Sequence, residues 1–446
     1  MYDFLTSVLA MAVVLGVMIV VHEFGHFAAA KLLGVRVEVF SVGFGKRLLG
    51  FRRGDTDYRL SAIPLGGYVK MSGENPMEER SGDYGEFMSH PRWHRFIIAV
   101  AGPFMNVLLA VALLTGVFMV HYEHAAFLDE PAVVGHVDDG KPAQKAGLRD
   151  GDKIVRIGDK QNPSWEDVMF TFMLSPNRSV DVAVQRDGKI VTATVTPEAV
   201  GPNEIGDVGL APARPVRIAR VENGYPAANA GIKSGDEITA LNGQPLNSIE
   251  ALLDFLKDSK NTPVDLTILR NGQTFHKTVT PVLANVNGEQ RYRLGFVSGE
   301  AQHVSKLPFG AALSKSLEQN KKNSVLIVEL VQKMVRREVP MRQIEGPIGI
   351  ARASGEAARQ EGWTPLLSLM AAISLNLGIF NLFPIPILDG GVILLLLVEG
   401  VMRRDISQPI KERIYQAAFV FLVLFAVMVI YNDLVKAVPG LSQKLP

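Results

Sequence analysis

The sequence predicts an α-helical membrane protein with four transmembrane helices, carrying two β-rich domains outside the cytoplasm. Three observations predict it. Four apolar segments are long enough to cross a bilayer, which takes roughly 20 helical residues. Lysine and arginine crowd two of the loops between them. A polar insert between the second and third segments contains an internal repeat.

The 446 residues are 48% hydrophobic, with a mean hydropathy of +0.17. That balance is high for a soluble protein and low for an all-membrane one, so spans mixed with polar modules fit it. A net charge of +1 gives no global attraction to nucleic acid. The absence of cysteine excludes disulfides, thiolate metal ligands and a cysteine nucleophile.

The first span runs from about Phe4 to Leu33. It begins with Asp3 instead of a basic region, and its apolar run passes directly into His22-Glu23. It therefore reads as a retained span and not as a signal peptide. The second runs from Phe96 to about Tyr122 and the fourth from Ile414 to about Leu434. The third, Leu366 to about Glu399, is interrupted by Asn376, Asn381, Pro384, Pro386 and Asp389. Basic residues from Lys31 to Arg95 lie between the first two spans, and Arg403, Arg404, Lys411 and Arg413 lie between the last two. The positive-inside rule places both loops in the cytoplasm and both termini outside. His22, His26 and Asp389 then fall at a similar depth, toward the cytoplasmic side.

The insert, from about Ala125 to Val304, repeats itself. The run Val137 to Ile154 (VDDGKPAQKAGLRDGDKI) matches Val221 to Ile238 (VENGYPAANAGIKSGDEI). Each copy continues into alternating β-type sequence, as in Val180 to Val184 and Val264 to Ile268. Each ends on a glycine between apolar residues, Val208-Gly209-Leu210 and Leu294-Gly295-Phe296. The stretch from Phe309 to Gly362 is amphipathic and reads as an interfacial helix leading back to the membrane, with a soluble core helix as the alternative.

The chemistry centres on His22-Glu23-Phe24-Gly25-His26. On a helix the two histidines project from one side, a spacing that lets two imidazoles grip one Zn²⁺ with Glu23 beside them as general base. Ionisable groups at bilayer depth are costly unless compensated, and a divalent cation compensates them. A catalytic zinc takes three protein ligands and leaves a position for water. Asp389 is the best third ligand, being acidic, in an apolar stretch and at the right depth. Its alternative role is to cap the helix that follows it. The prolines before it prevent regular helix, and irregular backbone at this depth survives where it is buried or lines a watery cavity. Glu399 is a poorer rival, lying at the cytoplasmic end of its span. The pairs His90/His94 and His121/His124 sit at the two interfaces and read as belt residues. A membrane-anchored scaffold would explain the repeat but not the intact Glu23 and Asp389. A metal transporter would spread its ligands across the full depth.

The His-Glu motif, with Asn381 to Gly390 reading N-x-x-P-x-P-x-L-D-G, resembles the site-2 proteases, a family of intramembrane zinc metalloproteases. Pro64 to Met71, Ala101-Gly102-Pro103 with Asn106, and Gly346 to Ala351 match the family as well, whereas Val392 stands where the subgroup usually has histidine. The repeats resemble PDZ domains, whose Φ-Gly-Φ loop (Φ apolar) offers backbone amides to a peptide carboxylate. Gly209 and Gly295 are the corresponding positions. The resemblance implies a membrane core interrupted by tandem PDZ-like domains, with segments 1–124, 125–212, 213–304, 305–365 and 366–446. It adds a membrane-associated β-hairpin in which Gly66, Gly67, Tyr68 and Val69 hold substrate as an extended strand. It makes His22, His26 and Asp389 the ligands of one Zn²⁺ per chain and Glu23 the base. Asn376, Asn381, Pro384 and Pro386 fall where substrate binds. The implied substrates are single-span membrane proteins in a bacterial inner membrane, such as an anti-sigma factor or remnant signal peptides. Hydroxamates would bind the zinc, membrane lipid would surround the spans, and peptide C-termini are possible guests of the PDZ-like domains. A size filter on bulky substrates is the other role those domains could play.

Overall fold

The structure is a computed structural model, and it describes residues 2–74, 82–122, 131–201, 203–286, 289–299, 306–340 and 343–437. It divides into a helical unit (Met1–Tyr122, Ser305–Gln332 and Ile344–Pro446) and a β-rich unit (Glu123–Val304 and Lys333–Gln343). His124 and the segment limits at Ala125 and Val304 lie outside the described residues.

Helix α1 (Tyr2–Leu32) is apolar on nearly every side, which suits lipid better than a one-sided core. The chain then enters two long strands, β1 (Val37–Arg53) and β2 (Thr56–Met71). They do not form a simple hairpin. Residues 39–42 of β1 pair with 67–70 of β2 in one register and with 57–60 in a second, while 49–53 of β1 pair with 56–60. The result is a bent sheet of four segments in the order 49–53, 56–60, 39–42, 67–70. The run 39–42 advances in step with 57–60, so that pair is parallel, and the others are antiparallel. Residues 67–70 therefore form an outer edge. Gly67 has the Ser41 carbonyl oxygen where a Cβ would sit, so a side chain there would part the strands. Helix α2 (Arg92–Val120) carries Pro103 in its interior, which packing by neighbouring helices makes tolerable in a membrane.

The β-rich unit follows, and its two modules repeat element by element. The first has β3 (Val134–Val137), α3 (Pro142–Lys145), β4 (Lys153–Ile157), β5 (Lys160–Gln161), α4 (Trp165–Met173), β6 (Val180–Arg186), β7 (Lys189–Val195), β8 (Glu198–Val200), β9 (Ile205–Asp207) and β10 (Leu210–Pro212). The second has β11 (Val216–Val221), α5 (Pro226–Asn229), β12 (Glu237–Leu241), β13 (Gln244–Pro245), α6 (Ile249–Ser259), β14 (Val264–Arg270), β15 (Gln273–Val279), β16 (Val282–Val286), β17 (Glu289–Arg293) and β18 (Phe296–Ser298). Strand order is β5-β4-β6-β7 in the first main sheet and β15-β14-β12-β11-β18 in the second.

The repetition has a physical content. Ile154, Val168, Phe172, Val182 and Val184 fill the first core, and Ile238, Leu252, Leu256, Leu266 and Ile268 fill the second at the same spacing. Helices α4 and α6 both start at a serine whose hydroxyl accepts a backbone amide, Ser164 from Asp167 and Ser248 from Ala251. In each Gly-Asp turn the buried aspartate receives two hydrogen bonds from an arginine on the facing strand. Asp152 is held by Arg186, and Asp236 by Arg270. Each arginine also donates to a carbonyl, Gly147 or Gly231.

Helix α7 (Phe309–Val335) leads back to the helical unit's remaining elements, α8 (Pro347–Arg359), α9 (Thr364–Asn381), α10 (Asp389–Met402) and α11 (Gln408–Ala437). The start of α7 packs on α2, where Ser316 donates to the Val111 carbonyl. The N-terminus of α8 is held by Asp433 of α11, whose carboxylate accepts from the amides of Gly346, Ile348 and Gly349. Helix α2 packs against α1, α9 and α10. Among the described residues, four helices are long and apolar enough to cross a membrane: Phe4–Leu32, Arg92–Val120, Thr364–Asn381 and Gln408–Lys436. The third apolar segment of the sequence thus divides into α9, which is long enough to span, and the shorter α10.

Candidate active site

His22 and His26 lie one turn apart on the buried side of α1, with their Nε2 atoms 3.2 Å apart. Asp389 meets them from the other end of the chain. Its Oδ2 is 3.1 Å from His22 Nε2 and its Oδ1 is 3.3 Å from His26 Nε2. The approach depends on a break in the backbone. α9 stops at Asn381, the chain turns through Pro384 and Pro386, and Ile387 adopts a positive φ of 92°. A branched residue rarely accepts that conformation, and such strain is characteristic of sites that the surrounding structure holds in place. Leu388 is the N-cap of α10, and Asp389 is its first helical residue. Asp389 is thus not at the N-cap position, Leu388 there makes no side-chain cap hydrogen bond, and the Asp389 carboxylate goes to the histidines.

The imidazoles are oriented by α2. The His26 Nδ1 donates to the Ile98 carbonyl at 2.7 Å, which leaves Nε2 as the lone-pair nitrogen facing Asp389. His22 Nδ1 lies 3.1 Å from the side-chain amide of Asn106, a fully buried residue. The Asn106 Oδ1 is buried without a hydrogen bond. Turning the amide over places that oxygen on the His22 Nδ1–H, which satisfies both groups and again leaves Nε2 free. Gly102 of α2 faces the two rings so closely that a methyl there would lie 2.8 Å from His22 Nε2.

These donors fit a zinc ion. Two imidazole nitrogens and a carboxylate, with no thiolate in the chain, form a ligand set typical of catalytic zinc. Bonds of about 2.0–2.1 Å in tetrahedral geometry put ligand atoms roughly 3.3 Å apart. The separations of 3.1–3.3 Å match that requirement.

Glu23 lies beside the cluster, and its Oε2 accepts the Val69 amide of the outer edge of β2 at 3.0 Å. The cluster opens on a cavity of about 510 Å³. Of the residues expected to bind substrate, Tyr68, Val69 and Asn381 line it. The Asn381 amide stands 3.4 Å from His22 Nε2. Gly66, Gly67, Pro384 and Pro386 do not line the cavity, though they shape the two segments that do. Asn376 is exposed on α9, away from Ser374 and Gly378, which face α2.

The cavity is also lined by a pair that sequence reasoning missed. Glu399 and Lys411 are both buried and lie 2.6 Å apart, with the Ile406 amide also donating to Glu399. Glu399 thus has a partner of its own. The oriented contacts from Ile98, Gly102 and Asn106 were missed as well. Only the Ala-Gly-Pro motif with its following asparagine signalled them.

In the β-rich unit, Gly209 and Gly295 both have positive φ, 69° and 85°. They occupy matching loops, in which the Gly209 carbonyl accepts the Asp138 amide and the Gly295 carbonyl accepts the Glu222 amide. The Gly209 amide is taken by the Asp207 side chain.

The sequence matches peptidase family M50 over residues 10–425. It is 31% identical to the regulator of sigma-E protease RseP of Escherichia coli, over 97% of this chain and 99% of that protein. It is 30% identical to a protein of Vibrio cholerae described as a candidate zinc metalloprotease, over 97% and 99% of the two chains. It is 32% identical to a similarly described protein of Treponema pallidum, over 94% and 97%. A PDZ domain from Listeria monocytogenes aligns with 20% of this chain and 93% of that one, at 19% identity and a TM-score of 0.18. The match spans nearly the whole sequence, membrane helices and β-rich insert alike, and the chain belongs to peptidase family M50, the site-2 proteases.

Proposed function

We propose that this chain is an intramembrane zinc endopeptidase that cuts single-span membrane proteins within or near their transmembrane segments. The observation that carries the reading is the convergence of His22, His26 and Asp389, from opposite ends of the chain, at distances suited to one cation. These three residues would hold the zinc, leaving room for water and substrate. Bound there, zinc polarises a peptide carbonyl and lowers the pKa of water.

The remaining work falls to the protein. Glu23 takes the proton of the attacking water and returns it to the leaving amine. The Val69 amide holds Oε2 of Glu23 and so fixes the carboxylate beside the cluster. A substrate helix hides its carbonyls in its own hydrogen bonds and must unwind before cleavage, which leaves its backbone seeking partners in a dry setting. The outer edge at residues 67–70 offers them by strand addition, and the Asn381 amide lies where it can donate to a bound carbonyl. Basic loops on the cytoplasmic side put both termini and the β-rich unit outside a bacterial inner membrane. There the two PDZ-like modules gate access. The relatives named for sigma-E regulation make anti-sigma factors a natural substrate class. Hydroxamates, which chelate zinc, are the expected inhibitors.

Glu23→Gln tests the chemistry. The variant should retain its zinc and lose cleavage of a tagged single-span substrate by about 10²–10⁴-fold. Undiminished cleavage would remove Glu23 from its role. Deletion of 125–304 tests the gate, and substrates with bulky outer domains should then be cut without a prior trimming step. Unchanged exclusion of those substrates would refute gating.

A further inference from the structure

A second cluster of ligating side chains lies in the β-rich unit, at the junction of its two modules. His136 belongs to β3 of the first module and Asp254 to α6 of the second. The His136 Nε2 is 3.1 Å from Asp254 Oδ2 and 3.6 Å from Asp138 Oδ1. One ligand atom from each of the three residues lies within 4.8 Å of the other two.

The opposite nitrogen of the same ring supplies an independent observation. His136 Nδ1 is buried and makes no hydrogen bond, yet the Asp150 carboxylate stands 3.7 Å from it. A carboxylate on the far nitrogen of an imidazole is the usual device that fixes the tautomer of a metal-bound histidine. A shift of less than 1 Å would close this contact.

Charge points the same way. Three carboxylates surround one imidazole, and none of them has a lysine or arginine partner within 4 Å among the described residues. Carboxylates held this close together repel one another. A cation from solution would offset that repulsion. The imidazole side chain is 14% exposed and the carboxylates about half exposed, so a small cation can enter without unfolding either module.

We infer that His136, Asp138 and Asp254 bind a divalent transition-metal ion that ties the two β-rich modules together, with Asp150 orienting His136. One imidazole with two carboxylates favours Zn²⁺ or a similar borderline ion over Mg²⁺ or Ca²⁺, which take oxygen ligands. The site is separate from the membrane cluster and does not depend on the reading of that cluster.

The test is metal content and zinc titration of the full chain in detergent. Wild type should hold two zinc equivalents, and His136→Asn with Asp254→Asn should hold one. His22→Ala with His26→Ala should keep one, with its affinity lowered about 10–100-fold by Asp150→Asn. Asp254 is on the surface of α6, so Asp254→Asn alone tests the site in a folded protein, and it should weaken zinc at least tenfold. Absence of zinc from the His22→Ala with His26→Ala protein, or binding there indifferent to His136→Asn and Asp254→Asn, would overturn the inference. So would modules joined by a pH-dependent contact that ignores added zinc, because a proton on His136 would then supply the charge.

Discussion

Gly102→Ala perturbs the proposed metal centre through a residue that would ligate nothing. The added methyl would stand 2.6 Å from Cε1 of His26 and 2.8 Å from Nε2 of His22, and it would also press on His26 Nε2. Contacts of this kind are comfortable at about 3.5 Å, so the rings would have to retreat by at least about 0.7–0.9 Å. They have little freedom to do so, because the Ile98 carbonyl fixes His26 and Asn106 fixes His22. Zinc sites tolerate departures of about 0.2 Å from ideal ligand distances. The expected result is a loss of zinc affinity of about 100-fold or more, with matching loss of cleavage. Overpacking should destabilise the fold by only about 1–3 kcal/mol. Zinc affinity would be read by competition with a chromogenic chelator, folding by circular dichroism, and activity on a tagged single-span substrate. Gly116→Ala is the control, since it lies in the same helix with nothing within 4 Å of the added methyl. A folded Gly102→Ala protein with native zinc affinity and cleavage would refute the reasoning.

Two further outcomes follow from the same contacts and from the repeated modules. Asn106→Ala leaves His22 without its orienting partner and should weaken zinc about 10–100-fold while the helices remain folded, as measured by the same competition assay. Asp236→Asn breaks a buried clamp and should destabilise the second module by about 3 kcal/mol, seen as faster hydrogen exchange in β12 and β14. The clamp also sets a pH limit. Burial alone would raise the Asp236 carboxyl, but hydrogen bonds from Arg270 and the Lys233 amide hold it below its ordinary range. A depressed folded value contributes stability above the unfolded value of about 3.9, and that stability is lost as pH falls through the folded value. Exchange in β12 and β14 should therefore accelerate, relative to an Asp236→Asn reference, only below about pH 4.

Much of the architecture was legible because it rests on local patterns. The spans follow from continuous apolar length, and the modules from a repeat that preserves the Gly-Asp turn, the serine cap and the alternating core. What stayed hidden depends on tertiary approach. Residues 47–53 show no alternation, so nothing in them announces that β1 and β2 fold into four segments. Val69 contributes a backbone amide, and Ile98 a backbone carbonyl, which every residue possesses. The family resemblance puts Asn376 where substrate binds, and the structure leaves it exposed on α9. Ser374 and Gly378 lie one turn apart and face α2, which leaves residue 376 on the opposite side.

The glycines explain why this centre can exist between helices at all. Gly25 of α1 lies against the Ala101 backbone of α2, and Gly378 of α9 lies 3.0 Å, measured to a Cβ built there, from the Pro103 carbonyl. Gly390 and Gly391 of α10 lie against the backbone of 382–386, the same irregular segment that delivers Asp389. A side chain at any of these positions would meet backbone, which cannot move aside as a flexible side chain can. Small residues drive close helix packing in membranes, where the hydrophobic effect gives helices no reason to associate. Here the close approach also sets chemistry, because Asp389 reaches the imidazoles only if α10 starts hard against the turn that precedes it. The proposed ligands are thus specified twice, once by donor chemistry at three positions and once by the absence of side chains at the positions around them.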